Sequence, residues 1–179
     1  LAKAFLAAGG HCILSGRNVE ALEAVAGNAK DRCLILPFDT ADYAAIPALV
    51  EQAISFQGQV DVLVNNAGIS QRSLAVDTDF SVYQRIVEVD LLAPIALTQA
   101  MLPHLLARGS GQLVMISSVA GKAGVPLRTA YCAAKHGVVG LTRALAAETK
   151  GTGVTVNAVC PGYIEGTPML DAAIASVVR

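Results

Sequence analysis

The sequence has no tryptophan, and its other aromatic residues are four phenylalanines and four tyrosines. Charged residues make up only 15% of the chain, and they nearly cancel to a formal net charge of −1. Because a basic excess is needed to neutralise phosphate groups, we expect neither nucleic acid nor an anionic membrane surface as a partner. The composition therefore favours a protein that acts on small molecules.

The four cysteines, Cys12, Cys33, Cys132 and Cys160, form no C-x-x-C pair. None lies near a histidine at a spacing typical of zinc ligands, so no metal site is predicted. Three of them lie within apolar runs, as expected of buried, reduced thiols. This pattern favours a cytoplasmic location.

No long hydrophobic run is free of interruptions. The longest apolar stretch, residues 91–107, contains Pro94, Gln99, Pro103 and His104, so we expect no membrane span in this chain. The opening segment, LAKAFLAAGG, is typical of the second half of a helix that ends at a glycine pair. A truncated chain is therefore expected, and its 179 residues predict a single, incomplete domain over residues 1–179.

Apolar runs alternate with amphipathic segments along the whole chain. The runs are uniformly apolar, which is typical of strands that are covered on both faces of a parallel sheet. We therefore predict a Rossmann-like, doubly wound α/β fold with three α/β/α layers. The predicted strands are 11–15, 32–37, 60–64, 112–117 and 154–159, and the predicted helices are 18–28, 43–57, 79–108 and 129–150.

Polar and glycine-containing segments follow the predicted strands. They are Gly16-Arg17, Asp39-Thr40, Asn65-Asn66-Ala67-Gly68, Ser117-Ser118 and Pro161-Gly162. In a parallel α/β sheet, ligands bind beyond the carboxyl ends of the strands. Five segments of this kind predict one binding site along that edge.

Tyr131 and Lys135 are four residues apart on a predicted helix, so they share one face. A free tyrosine has a pKa of about 10, and a neighbouring cation lowers that value. The pair is therefore a sensible proton donor and acceptor near neutral pH. A surface pair on an amphipathic helix is the alternative.

Ser118 ends a strand 13 residues before Tyr131, where its hydroxyl could hold a substrate oxygen; a turn or capping serine is the alternative. The small side chains in Asn66-Ala67-Gly68 would let a flat ligand lie close to the backbone. A plain turn at the end of the strand is the alternative. Serine hydrolase chemistry is disfavoured because the chain lacks a G-x-S-x-G elbow.

Arg17 follows the first predicted strand, where a dinucleotide fold with NAD preference carries an acidic residue. A cation there suits the 2′-phosphate of NADP(H), so NADP(H) is favoured over NAD(H). A solvated arginine at the start of a helix is the alternative.

In these motifs the chain resembles the classical short-chain dehydrogenase/reductase (SDR) family from Leu1 to about Met169. The resemblance implies hydride transfer between NADP(H) and a carbonyl or alcohol substrate. It implies that Tyr131 is the general acid/base, that Lys135 lowers the tyrosine pKa and binds the nicotinamide ribose, and that Ser118 orients the substrate. It also implies cofactor contacts by Asp39, Thr40, Asn66, Ala67, Gly68, Pro161, Gly162 and Ile164, and a homodimer or homotetramer at full length.

The chain departs from the family pattern at three places. The family's first strand and glycine-rich turn are absent, so two strand edges should be exposed. Asp90 replaces the usual asparagine of the catalytic group; near Lys135 it would stabilise the ammonium and oppose tyrosinate formation. Gly166 replaces a threonine, so Thr167 is assigned to that contact only weakly.

Two other functions stay open. Related folds reuse the Tyr-x-x-x-Lys pair in isomerases and dehydratases that retain their nicotinamide. An inactive, truncated scaffold is the other alternative.

Overall fold

Strands and helices alternate in the computed structural model, which describes residues 1–165. The strands are β1 (Cys12–Gly16), β2 (Cys33–Pro37), β3 (Val62–Asn65), β4 (Gly111–Ile116) and β5 (Val154–Val159). The α-helices are α1 (Ala2–Ala7), α2 (Val19–Ala26), α3 (Ile46–Gln57), α4 (Phe80–Val87), α5 (Ala93–Arg108) and α6 (Thr129–Glu148). The predicted alternation is confirmed, with shifts of one to a few residues at most ends.

Side-chain caps account for two of the helix starts. The Asn18 Oδ1 accepts a hydrogen bond of 2.9 Å from the Ala21 N–H, so α2 begins directly after it. Asp42 caps a short 3₁₀ turn, Tyr43–Ala45, that leads into α3. The helix predicted over 43–57 is therefore a 3₁₀ turn followed by an α-helix.

The long helix predicted over 79–108 is interrupted by a π-helical segment, Glu88–Leu92, between α4 and α5. Pro94 has no N–H to donate to the Asp90 carbonyl four residues earlier, and the Ala93 N–H donates to the Glu88 carbonyl five residues earlier. The wider turn carries Asp90 into the interior, where it is fully buried.

Phe80–Arg108 is the one helical run among the described residues that is long and apolar enough to cross a membrane. Length and composition alone are weak evidence for a span, since a core helix meets the same criteria. In this fold α5 packs against α3, β3 and β4.

The five strands form two parallel sheets. β1 pairs with β2 from Cys12↔Cys33 to Gly16↔Pro37, and β4 lies between β3 and β5. One continuous sheet is therefore not formed by residues 1–165, and β1 and β3 each keep an unpaired edge. The two edges agree with the expectation for a doubly wound sheet without a central strand.

A shared hydrophobic core joins the two sheets. Leu36 and Phe38 from the β2 side pack with Ile46 and Val50 of the α3 helix. The same cluster contains Met101, Leu105, Leu113 and Val156 from α5, β4 and β5. This cluster therefore packs elements of the two sheets against one another.

Candidate active site

The predicted site segments lie at the carboxyl ends of parallel strands. Arg17 follows β1, Asp39 follows β2, Asn66 follows β3, Ser118 follows β4 and Pro161 follows β5. The Tyr43 hydroxyl, just after β2, donates to the Glu88 carbonyl of the π-helical segment over 3.1 Å. This contact joins the segment after β2 to the π-helical segment.

Tyr131 and Lys135 lie on one face of α6, and both are buried, with 6% and 4% of their surfaces exposed. The Lys135 Nζ is 5.6 Å from the centroid of the Tyr131 ring. These burials exclude the alternative of a surface pair on an amphipathic helix. A buried cation against a phenol is the arrangement that the spacing predicted.

Lys135 is held by two oxygen atoms from other elements. Its Nζ donates a hydrogen bond of 3.0 Å to the Ile116 carbonyl at the end of β4. The same Nζ lies 3.2 Å from Oδ2 of Asp90. An ammonium carries three N–H groups, so one stays available for a ligand.

Asp90 is fully buried, and its two oxygens have different surroundings. Oδ1 accepts a hydrogen bond of 2.8 Å from the Ile69 N–H, whereas Oδ2 faces Lys135. Burial raises the pKa of Asp90, and the Lys135 charge acts in the opposite direction. The predicted proximity of Asp90 to Lys135 is thus present.

The pKa of Tyr131 is raised, and burial is the largest cause. A hydrogen bond with Ser118 lowers it, the Asp90 charge raises it and the Arg128 charge lowers it. The direction is opposite to the one expected from the Tyr-Lys spacing, because burial of the phenol outweighs the interactions that lower its pKa. The expected opposition of Asp90 to tyrosinate formation is present.

The two serines at the end of β4 have different partners. Ser117 is buried, and its Oγ donates 3.0 Å to the Lys135 carbonyl, which ties β4 to α6. The Ser118 Oγ accepts 3.1 Å from the Ala120 N–H and also hydrogen-bonds Tyr131. Ser118 is therefore a capping serine, which was the alternative interpretation of the sequence, and it is also a neighbour of Tyr131, the candidate general acid.

The segment after β3 forms an exposed shelf beside the buried pair. Asn65 points inward, where its Nδ2 lies 3.2 Å from both the Thr98 hydroxyl and the Met115 sulfur. Asn66, Ala67 and Gly68 are exposed. A Cβ at Gly68 would lie 3.0 Å from the Asp90 Oδ2 and 3.3 Å from the Lys135 Nζ, so a side chain there would press on the pair.

The remaining predicted cofactor-binding residues also follow the carboxyl ends of strands. Arg17 is exposed, and Asp39 and Thr40 are half-buried. Asp39 accepts 3.0 Å from the Ala41 N–H and lies 3.8 Å from Arg85. The Val119 N–H donates 2.9 Å to the Pro161 carbonyl, which brings the segment after β5 beside the end of β4.

Gly162 and Ile164 are exposed in the segment after Pro161. Gly166 and the weakly assigned Thr167 lie outside the described residues.

Comparison with known proteins identifies this arrangement. The sequence model described as "short chain dehydrogenase" matches residues 1–176. The chain belongs to the short chain dehydrogenase family. Its members are oxidoreductases with a Rossmann-like α/β fold, which confirms the predicted family and fold class.

Two curated relatives of this short chain dehydrogenase span its whole length or most of it. Dehydrogenase/reductase SDR family member 7B from Mus musculus is 39% identical over 185 residues, which is 99% of this chain and 57% of the relative. Ketoacyl reductase HetN from a Nostoc species is 40% identical over 141 residues, covering 79% of this chain and 49% of the relative. The chain thus spans about half the length of these relatives.

Two solved structures share the fold almost completely. A variant of actinorhodin polyketide ketoreductase with NADPH gives a TM-score of 0.93 at 34% identity, covering 99% of this chain and 70% of its own. ElxO with NADP bound gives 0.90 at 28% identity, covering 99% and 74%. The family binds NAD(P), and the exposed residues Asn66, Ala67 and Gly68 pack closely on the Asp90–Lys135 pair only because Gly68 has no Cβ.

Three residues of the short chain dehydrogenase site were not predicted from the sequence. Arg128 is buried at the start of α6, with its Cζ 6.0 Å from the centroid of the Tyr131 ring. Ser70 accepts a hydrogen bond of 2.9 Å from the Arg128 Nη1. The Gln71 amide oxygen, in the orientation that satisfies both ends of the amide, accepts from the Thr129 and Ala130 N–H groups at 3.1 and 3.0 Å.

Arg128 had a signal in the sequence. It precedes Tyr131 by three residues, a spacing that places both on one helix face. Gln71 and Ser70 had none, because their partners are about 60 residues away along the chain.

Proposed function

We propose that this protein is an NADP(H)-dependent oxidoreductase that interconverts a carbonyl compound and an alcohol, with Tyr131 as the general acid/base. The observation that carries the proposal is the buried contact of Tyr131 with Lys135, next to Ser118 and at the carboxyl ends of the strands. A phenol so placed can exchange a proton with an oxygen atom in a cleft that excludes bulk water.

NADPH, when bound, supplies the hydride that reduces the carbonyl carbon. The Tyr131 hydroxyl gives its proton to the carbonyl oxygen, and the resulting tyrosinate is stabilised by the Lys135 ammonium. Ser118 donates a hydrogen bond to the same oxygen and so aligns it with the phenol. In the oxidation direction Tyr131 takes the proton from the alcohol.

The Lys135 Nζ is held by Asp90 Oδ2 at 3.2 Å and by the Ile116 carbonyl oxygen at 3.0 Å. The remaining N–H of Lys135 would donate to the nicotinamide ribose. Asn66, Ala67 and Gly68 would form the floor under the cofactor, and Pro161, Gly162 and Ile164 would border its nicotinamide end. Asp39 and Thr40 would border the adenine.

The preference for NADP(H) is supported by Arg17. It is an exposed cation directly after β1, at the start of α2. A guanidinium is well suited to a phosphate group, whereas an acidic residue in this place would suit a free ribose hydroxyl. The NADPH and NADP in the two similar solved structures point in the same direction.

The test is a panel of ketones, aldehydes and alcohols given to the full-length protein, with NADPH absorbance as the readout. We expect stoichiometric loss of NADPH with at least one class of carbonyl compound and slower turnover with NADH. Product formation without net loss of NADPH would instead favour the nicotinamide-retaining isomerase or dehydratase.

A further inference from the structure

Among the described residues 1–165, no carboxylate forms an ion pair with the buried cation Arg128. Only 9% of its surface is exposed. Among residues 1–165 the ion pairs join Arg85, Arg108 and Lys135 to carboxylates, and none involves Arg128. Burial of an uncompensated guanidinium is costly, so its retention beside the reacting groups calls for a function.

The second buried cation of the site is neutralised within the chain. The Lys135 Nζ and the Arg128 Cζ lie 5.6 and 6.0 Å from the centroid of the Tyr131 ring. The Lys135 charge is compensated by Asp90 at 3.2 Å. The positive charge that remains beside the phenol therefore belongs to Arg128.

The surrounding loops hold Arg128 in place. Its Nη1 donates 2.9 Å to the Ser70 hydroxyl, and no other side-chain hydrogen bond of Arg128 is formed within the described part of the chain. The preceding residue, Leu127, has a φ of +66°, and its carbonyl accepts 3.1 Å from the Ser73 N–H. A leucine in the left-handed region is strained, and such strain is typical of functional sites.

A guanidinium has five N–H donors in a planar fork that matches the two oxygens of a carboxylate. Since one nitrogen of Arg128 is bonded to Ser70, the opposite edge of the fork stays available. A carboxylate brought there would compensate the buried charge and would lie near the oxygen that receives the proton of Tyr131.

We propose that Arg128 is a specificity-determining residue that binds a carboxylate of the substrate, so that the preferred substrates are oxo acids whose acid group lies a few bonds from the reacting carbonyl. This inference rests on the proposed function, because it takes Tyr131 as the proton donor. A neutral second carbonyl, as in an ester, would leave the guanidinium charge uncompensated and is therefore disfavoured.

The experiment compares acetoacetate with its methyl ester and with 4-methyl-2-pentanone, in which an isopropyl group replaces the carboxylate. The full-length protein should prefer acetoacetate to 4-methyl-2-pentanone by at least about tenfold in kcat/KM. In R128M the ratio of kcat/KM for acetoacetate to kcat/KM for 4-methyl-2-pentanone should fall by about 10- to 100-fold. R128K should recover part of the loss.

Arg143 on α6 is exposed and supplies the matched control, since R143M removes the same charge from the same helix away from the site. A second readout needs no turnover: 3-hydroxybutyrate added to the NADPH-loaded protein should change the NADPH fluorescence. Its Kd should rise by about 10- to 100-fold in R128M and should not change in R143M.

Three outcomes overturn the proposal: no preference for acetoacetate over 4-methyl-2-pentanone, an equal loss for the acid and the methyl ester in R128M, or an equal loss for the neutral ketone. The last would make Arg128 a packing partner of Tyr131. If the proposed function itself fails, no carbonyl compound of the broad panel consumes NADPH, which is distinct from turnover of neutral ketones alone.

Discussion

Asp90 and Lys135 form an ion pair inside the protein, with 3.2 Å between Oδ2 and Nζ. The carboxylate is fully buried, and only 4% of the lysine is exposed. The charge of Asp90 raises the pKa of Tyr131. The protonated form of the phenol is thereby favoured, which suits a proton donor in carbonyl reduction.

Replacement of Asp90 by asparagine should shift the pH dependence of turnover. D90N keeps an acceptor for the Ile69 N–H but removes the charge that raises the pKa of Tyr131, so that pKa should fall. Reduction needs the protonated phenol, so its alkaline limb should move to lower pH. Oxidation needs the tyrosinate, so its rise should also begin at lower pH.

Rate profiles over pH for both directions would measure this shift. E148Q removes an exposed carboxylate at the end of α6 and should leave both limbs in place. Unchanged limbs in D90N would make Asp90 a bystander to the proton transfer.

Removal of the Tyr131 hydroxyl should abolish most of the activity. Y131F should lower kcat by about 10²- to 10⁴-fold because it removes the hydroxyl that gives the proton. The Kd for NADPH, measured by fluorescence, should change little. Y43F removes a phenol hydroxyl that only bonds the Glu88 carbonyl and serves as the control. Full activity in Y131F would refute the assignment of the general acid/base.

A methyl group at Gly68 should weaken cofactor binding. Its Cβ would lie 3.0 Å from the Asp90 Oδ2 and 3.3 Å from the Lys135 Nζ, so the pair must shift by a few tenths of an ångström. We expect the Kd for NADPH to rise about tenfold in G68A. Gly140 on α6 has no atom within 4 Å of such a methyl group, and G140A should keep the wild-type Kd. Equal affinities in the two variants would contradict the close approach.

Arg17 should determine the choice between the two nicotinamide cofactors. R17S removes an exposed cation at the end of β1, so the Kd for NADPH should rise about tenfold while the Kd for NADH changes little. Titration of each cofactor by fluorescence gives the ratio. K150S removes an exposed cation after α6 and should alter neither value. A parallel rise for both cofactors would show that Arg17 does not contact the 2′-phosphate.

Local patterns in the sequence were sufficient to predict the alternation of elements and the face shared by Tyr131 and Lys135. Both follow from the periodicity of helices and strands, which any segment carries by itself. The contacts of Asp90 illustrate the other case. Its proximity to Lys135 came from the family pattern, whereas its complete burial depends on the π-helical turn before Pro94.

The pKa of Tyr131 could not be predicted from spacing alone. Its direction depends on burial and on Asp90, which is 41 positions earlier in the chain and reaches the site only through packing. The same holds for Arg128, whose importance lies in the absence of an acidic neighbour among the described residues. Whether an acidic side chain lies beside Arg128 depends on tertiary packing and cannot be read from the neighbouring sequence.

The unpaired edges of β1 and β3 affect how well the site can bind both ends of a long ligand. Arg17 follows β1 of the two-stranded sheet, and Tyr131 lies on α6, which packs against the three-stranded sheet. The two ends of a bound dinucleotide would therefore contact different sheets. A parallel strand hydrogen-bonded to both β1 and β3 would fix the distance between the two sheets. Without such a strand, only side-chain packing sets that separation, and residues 1–179 expressed alone should bind NADPH weakly and self-associate through the bare edges.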